Sequence, residues 1–293
     1  MSTIGFIGLG IMGGPMAANL VAAGHTVLGY DTRQEAAERL VSAGGAYAGS
    51  VAAAAAADVV ITMLPDSPQV EQVVLGPDGV LEHAKPGLLL VDMSTIRPDT
   101  SVAIAAAARE RGVRALDAPV SGGERGAIDG VLSIMVGGDP EAFEAARPVF
   151  EVLGATIVHV GPSGAGQTVK AANQLVVGGT YALVAEAIVL LEASGVDPGP
   201  ALDVLAGGLA GSRILELKRK SMVARDFTPG FRIDLHHKDM GIALAAAREA
   251  GVALPMTGLT AQLIAAARAN GYGPLDHSVL LQVLENLSGK AAS

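Results

Sequence analysis

Thr3–Leu20 reads TIGFIGLGIMGGPMAANL. A β-rich run breaks at Gly8-Leu9-Gly10-Ile11-Met12-Gly13 and resumes as a stretch of Met, Ala and Leu. The order is strand, tight turn, helix, with G-x-G-x-x-G at the turn. Gly8 permits the turn, Gly10 lets the backbone approach a pyrophosphate, and Gly13 permits close helix packing, with the anion resting on the helix N-terminus. The motif on its own also fits a plain structural turn. Its context decides: Asp31 closes the next strand-like run, TVLGYD, 18 residues beyond Gly13, where a carboxylate can accept both hydroxyls of an adenosine ribose. Arg33 complicates the cofactor, because an Arg just after this strand suits a 2'-phosphate that Asp31 repels. The expectation is NAD(H), with NADP(H) as a possible second cofactor.

Outward from this unit, short β-rich runs alternate with helical stretches as far as TIVHV, ending at Val160. Such alternation implies βαβ units and a mostly parallel sheet. After Gly161 the strand signals stop, and Gly and Pro at GVDPGP, GGLAGS, DFTPGF, GVALP and NGYGPLD divide the remainder into helices. The fold class is α/β: a Rossmann-type doubly wound sheet over residues 1–162, followed by an all-helical domain over 163–293 that opens with a long helix near Ser163.

Half of the 293 residues are hydrophobic, enough for two proper cores. A net charge of −9 with 20 Lys and Arg and no basic run argues against nucleic acid, and 3% aromatic content leaves few platforms for stacking bases. The absence of cysteine excludes disulfides and thiolate chemistry. A start without a charged leader points to the cytoplasm. The apolar window LVVGGTYALVAEAIVLLEASG contains Glu186 and Glu192 and follows Lys170 and Asn173, so it reads as a core helix rather than a membrane span. Its Gly and Ala content suits close packing against a second copy, as a homodimer or homotetramer. The six histidines show no i, i+4 pairing, and no metal site is expected.

In open α/β sheets ligands bind beyond the carboxyl ends of the strands. Candidates there are Leu64 and Pro65, then Ser94 and Thr95, then Ser121-Gly122-Gly123. Thr95 either meets the cofactor or caps the helix that follows. Ser121, Gly122 and Gly123 offer a hydroxyl and accessible backbone N–H groups, a nest for a carboxylate or phosphate. In GPSGAGQTVKAANQ, residues 161–174, the first turns of an apolar helix carry Gln167, Lys170, Asn173 and Gln174. Lys170 shares a face with Asn173 and Gln174. A helix running from the rim of one domain into the next turns such a stripe toward the cleft between them, where Lys170 can donate a proton beside Asn173.

GFIGLGIMGGPMAANL, DMSTIRP, DAPVSGGERGA, GAGQTVKAANQ and HHKDM together resemble the β-hydroxyacid dehydrogenase family, which includes 3-hydroxyisobutyrate dehydrogenases and tartronate semialdehyde reductases. The resemblance spans essentially the whole chain. It implies that Lys170 is the catalytic acid-base, that Ser121, Gly122 and Gly123 hold the substrate carboxylate, and that Asn173 is a second substrate contact. It also places Thr95 and Lys238 at the cofactor, with Leu64 and Pro65 lining its pocket, and a hydroxyacid or semialdehyde as substrate. Where the hydroxyisobutyrate enzymes usually show two Asn, this chain has Asn173-Gln174, a departure that resembles the tartronate semialdehyde reductase branch. A scaffold that kept the fold and lost the chemistry is the contrasting reading; the retained Lys170 argues against it.

Overall fold

The computed structural model describes residues 1–290. The chain forms two compact units, Met1–Lys170 and Ala171–Ser293, each with its own core. The first is built on a nine-stranded sheet: β1 (Thr3–Ile7), β2 (Thr26–Tyr30), β3 (Ala46–Tyr47), β4 (Val59–Thr62), β5 (Leu89–Asp92), β6 (Arg114–Asp117), β7 (Val120–Ser121), β8 (Leu132–Gly138) and β9 (Gly154–Gly161). Spatial order runs β3-β2-β1-β4-β5-β6-β8-β7, and β9 pairs with β8. The first six strands are parallel in the 3-2-1-4-5-6 order of a dinucleotide-binding sheet, with the switch point between β1 and β4. β8 reverses, running antiparallel to β6 and β7, and β9 follows it in parallel.

VVIT of β4 and LLVD of β5 are buried at every position, as strands covered on both faces must be. Alternation sends Ile4 and Phe6 to one face and Ile7, Val60 and Leu90 to the other, so the two faces seed separate clusters. The two-residue strands β3 and β7 are too short to leave a periodic signal; β7 nevertheless matters, since it holds Ser121.

The second unit is helical, and each Gly/Pro stretch read as a breaker separates two helices: Ala165–Ala193, Pro198–Gly207, Arg213–Val223, Ile233–Glu249, Pro255–Ala267 and Leu280–Leu287. Asp197 caps the second of these through Gly199 N and Ser212 the third through Leu215 N, and Pro begins both Pro198–Gly207 and Pro255–Ala267. The first helix, of 29 residues, is long and apolar enough to cross a membrane by length and composition alone. One face of it packs into the core of the second unit. Tyr181, Ala185 and Ile188 are buried in the cluster of the second unit, and Glu192 pairs with Arg225 at 2.7 Å.

Behind that helix lies a buried polar knot. His236 Nε2 meets the Gln174 carbonyl at 3.2 Å, and the two Nδ1 atoms of His236 and His277 stand 3.0 Å apart. A carbonyl only accepts, so His236 carries its proton on Nε2, and in the neutral pair His277 Nδ1–H donates to His236 Nδ1. The Tyr181 ring lies tilted against His277, their centroids 3.8 Å apart, and buried Asp276 takes Lys218 Nζ at 3.0 Å. Burial, and then the neighbouring His236, hold the His277 ring well below its ordinary value of 6.5.

Unfolded His277 therefore takes up a proton near pH 6.5 while the folded ring does not, so its contribution to stability is complete above that pH and declines below it. The difference in melting temperature between the wild type and His277→Asn, followed from pH 8 to 5, should shrink as pH falls. A constant gap would show that His277 titrates alike in both states.

Candidate active site

The glycine turn is set by contact as well as by conformation. Gly8 has φ +99°, and a Cβ on Gly13 would lie 1.9 Å from the Gly8 carbonyl oxygen. The helix Gly13–Ala22 thus starts directly against the turn, its first amides directed at whatever occupies it. Leu9 is buried, Ile11 is exposed, and Met12 precedes the helix. Leu9 N donates to Asp31 Oδ2 at 2.8 Å, tying the glycine turn to the end of β2.

Arg33 folds back onto Asp31 in a two-pronged ion pair, Nε to Oδ1 at 3.0 Å and Nη2 to Oδ2 at 3.1 Å, and its own N–H adds a further bond at 2.9 Å. Burial works to raise the Asp31 carboxyl, but the Arg33 guanidinium and the Arg33 and Leu9 amides outweigh it and hold it below its usual value. The lone pairs a ribose would use are therefore engaged by Arg33. The Arg33 side chain is 57% exposed, so the guanidinium is the half of the pair free to move into solvent, while the Asp31 side chain is buried. Ribose hydroxyls can displace the guanidinium, and a 2'-phosphate would find it already in place.

Leu64 lies beside the turn, with its Cδ2 3.0 Å from where a Gly8 Cβ would stand, and Pro65 is exposed next to it. Leu64 N donates to Ser94 Oγ at 2.8 Å, and Ser94 N to Asp92 Oδ1 at 3.2 Å. Burial pushes the Asp92 carboxyl up to about 6, against hydrogen bonds from Ser94 and Thr62. Gln167, fully buried, then spans the next residue: its Nε2 donates to Ser94 O at 2.8 Å and its Oε1 accepts from Ile96 N at 3.1 Å. Thr95 is held between these two bonds. The helix after it begins at Pro98 with Arg97 as its cap residue, so Thr95 is not the cap.

The start of the long helix is fixed to β6. Asp117 Oδ1 accepts Gly164 N at 2.7 Å and Oδ2 accepts Gln167 N at 3.0 Å, so a carboxylate from the sheet supplies partners for amides that a helix start leaves unpaired. Burial raises the Asp117 carboxyl, and these amides oppose the rise. Gly166 makes the fit possible: a Cβ there would stand 2.8 Å from Asp117 Oδ2 and 2.4 Å from the Met135 carbonyl oxygen. One turn further on, Lys170 is 6% exposed, and its Nζ donates to Val120 O at 2.8 Å. Val120 precedes Ser121, Gly122 and Gly123, the last two with φ +140° and +62°, at the start of the helix Gly123–Asp129. The structure thus brings Lys170 and the predicted nest together within one unit.

Asn173 and Lys238 belong to the second unit, where Gln174 and Asp239 connect them. Asn173 Nδ2 donates to Gln174 Oε1 at 2.7 Å, Gln174 Nε2 donates to Asp239 Oδ2 at 2.5 Å, and Lys238 Nζ meets Asp239 Oδ1 at 3.0 Å. Asp117 and Gln167 were not assigned roles; the polar stripe was the only sequence signal for Gln167 and Gln174. Among the described residues one surface group, Asp78, Glu82 and His83, has the composition of a cation site, but all three are exposed.

A switch-point glycine turn, an acidic residue ending β2 and a buried lysine beside a second glycine turn are the features of a dinucleotide-dependent oxidoreductase. Residues 3–161 match the NAD binding domain of 6-phosphogluconate dehydrogenase, and residues 164–284 match the NAD-binding region of NADP-dependent 3-hydroxyisobutyrate dehydrogenase. The chain is 45% identical to 2-hydroxy-3-oxopropionate reductase of Escherichia coli, over 96% of this chain and 97% of that one. It is 41% identical to NAD-dependent L-serine dehydrogenase of Pseudomonas aeruginosa, over 99% of this chain and 100% of that one. The solved structure of Mycobacterium tuberculosis 3-hydroxyisobutyrate dehydrogenase with L-serine superposes with a TM-score of 0.88 at 38% identity, covering 97% of this chain and 99% of that one. The protein belongs to the 3-hydroxyisobutyrate dehydrogenase family and is an NAD(P)-dependent oxidoreductase acting on hydroxyacids.

Asp117→Ala should leave the amides of Gly164 and Gln167 without their acceptor and lower the unfolding free energy by about 2 kcal/mol or more in urea titrations. Asp117→Asn should recover less than half, because its NH2 faces one of those N–H groups. Wild-type stability in the Ala variant would remove Asp117 as the anchor.

Proposed function

We propose that the protein reduces the aldehyde of tartronate semialdehyde (2-hydroxy-3-oxopropionate) to give glycerate. The observation that carries this reading is the buried Lys170 ammonium, held by the carbonyl of the residue that leads into the Ser121-Gly122-Gly123 nest. The likeness to the E. coli reductase and the Asn173-Gln174 pair support the choice of substrate. Gly8, Gly10 and Gly13 with the helix start after them would hold the pyrophosphate, Asp31 the ribose, and Leu64, Pro65, Thr95 and Lys238 the remainder of NAD(P)H, which when bound supplies a hydride. The nest binds the substrate carboxylate through the Ser121 hydroxyl and the glycine amides, fixing the aldehyde beside Lys170. As negative charge grows on the carbonyl oxygen, the Lys170 ammonium stabilises it and passes a proton to it, so that CHO, one hydride and one proton become CH2OH.

NADH is the preferred cofactor in this reading, because Asp31 repels a 2'-phosphate once Arg33 has swung aside. The test is a spectrophotometric panel of tartronate semialdehyde, succinic semialdehyde, glyoxylate and the oxidation of 3-hydroxyisobutyrate and L-serine, each with both cofactors. Tartronate semialdehyde with NADH should give the highest kcat/KM. Lys170→Ala should lower kcat by at least about 100-fold with NADH binding intact, and Lys170→Arg should not restore it, since a guanidinium holds its proton too firmly. Near-normal turnover in a folded Ala variant would sink the assignment.

A homodimer or homotetramer completes the proposal. Val169, Val176, Leu183 and Leu190 follow one another at intervals of seven along the long helix and are all exposed, a continuous apolar stripe suited to a second copy. Leu183→Glu should reduce the sedimentation coefficient to that of a single chain; a wild-type coefficient in the variant would exclude this stripe as the interface.

A further inference from the structure

β4 and β5 pair in parallel with a constant offset of 30 residues, from Val59 beside Leu89 to Thr62 beside Asp92. Past the strand ends Met93 N still reaches Thr62 O at 2.9 Å. Beyond that point the same offset persists through side chains. Thr62 Oγ1 donates to Asp92 Oδ1 at 2.7 Å, Leu64 N donates to Ser94 Oγ at 2.8 Å, and Arg97 N donates to Ser67 Oγ at 3.0 Å, each pair again 30 residues apart. Two serine hydroxyls thus stand where a parallel ladder would use backbone carbonyls.

The two serine bonds run in opposite senses. Ser94 takes an amide of the turn after β4, and Ser67 takes an amide of the turn after β5, so neither turn can lift without breaking a bond to the other. Ser94 is fully buried and its hydroxyl accepts from Leu64 N, which sends the hydroxyl hydrogen to the Asp92 carboxylate; its backbone N–H donates to Asp92 Oδ1 at 3.2 Å as well. Gln167 closes the side of the second turn through Ser94 O and Ile96 N. Every partner in this lacing lies within the first unit.

We propose that Ser94 and Ser67 are positioning residues for the cofactor: they join residues 63–67 and 93–97 into one rigid edge, so that Leu64, Pro65 and Thr95 meet NAD(P)H at spacings fixed before it binds. These turns follow the carboxyl ends of β4 and β5, and β4 borders the switch point at which ligands of such sheets bind. Segments of this kind are ordinarily the mobile part of a fold, and ordering them in advance removes an entropy cost from ligand binding. Both serines are buried, so they act through the residues they hold. The inference rests on the reading of Leu64, Pro65 and Thr95 as cofactor contacts, and it adds what keeps those contacts in register.

Fluorescence titration with NADH tests it on Ser94→Ala and Ser67→Ala. Each change leaves an amide of the opposite turn without its acceptor and should raise the Kd for NADH about tenfold through misplacement of the edge. The KM of the best acid in the panel, measured at saturating NADH, should stay at its wild-type value. An unchanged Kd in either folded variant, even with a lowered melting temperature, would overturn the proposal and leave the serines as stabilising contacts only. Where Ser94→Ala fails to fold, Ser67→Ala decides. Pro65→Asp, at an exposed position, sets a carboxylate against the anionic cofactor and probes the underlying reading. Normal NADH binding in that variant would show that the edge does not face the cofactor; weakened binding there, with both serine variants normal, would remove the positioning role alone.

Discussion

The carboxylate of Asp117, set against the first amides of the long helix, is the contact on which the rest of the site depends. A buried carboxylate is costly unless it is paired with donors, and a helix start is a cluster of donors without partners. Each meets the other's need. The position of the helix relative to β6 is thereby fixed at its first turn, where Lys170 sits only six residues beyond Gly164. Glycine is required at 166 because the approach leaves no room for a side chain. The sequence GAGQTVK is thus a set of coupled requirements: small residues for Asp117, Gln167 for the two backbone groups around Thr95, and Lys170 for Val120 O.

Much of this architecture was legible beforehand because it is written in local chemistry. Fully apolar four-residue runs announce parallel strands, Gly and Pro mark each break in the helical unit, and consecutive glycines after Ser121 signal a nest. What stayed hidden depends on partners far along the chain. Asp117 meets residues 47 and 50 positions away, Gln167 meets Ser94 from 73 positions away, and Gln174 meets Asp239 from 65. No periodicity encodes such pairs. Thr95 shows the same limit. A hydroxyl before IRPDT suits a cap as well as a ligand contact, and the observed start at Pro98 removes only the cap. Arg33 was identified as a competitor to the ribose reading of Asp31, but its closure onto both carboxylate oxygens is a matter of rotamer that residue order does not determine.

The electrostatics explain how a chain of net charge −9 can hold anions at all. Over long distances the protein repels them, so attraction must be built at short range from oriented N–H groups, whose dipoles act strongly where water is excluded. The helix start after Gly13 and the turn through Gly122 and Gly123 offer such N–H groups and are the places proposed to do this. Lys170 adds a full positive charge one residue away from the second of these, through its bond to Val120 O. That single bond aligns two functions. The carbonyl that directs the ammonium belongs to the same four-residue stretch as the proposed carboxylate nest, so the distance between the proposed proton donor and the proposed anchor is set by covalent geometry along residues 120–123 and one hydrogen bond. In the proposed reaction a substrate gripped at its carboxylate would meet a lysine whose direction is already fixed, so that orientation would be supplied by the fold before any substrate arrives.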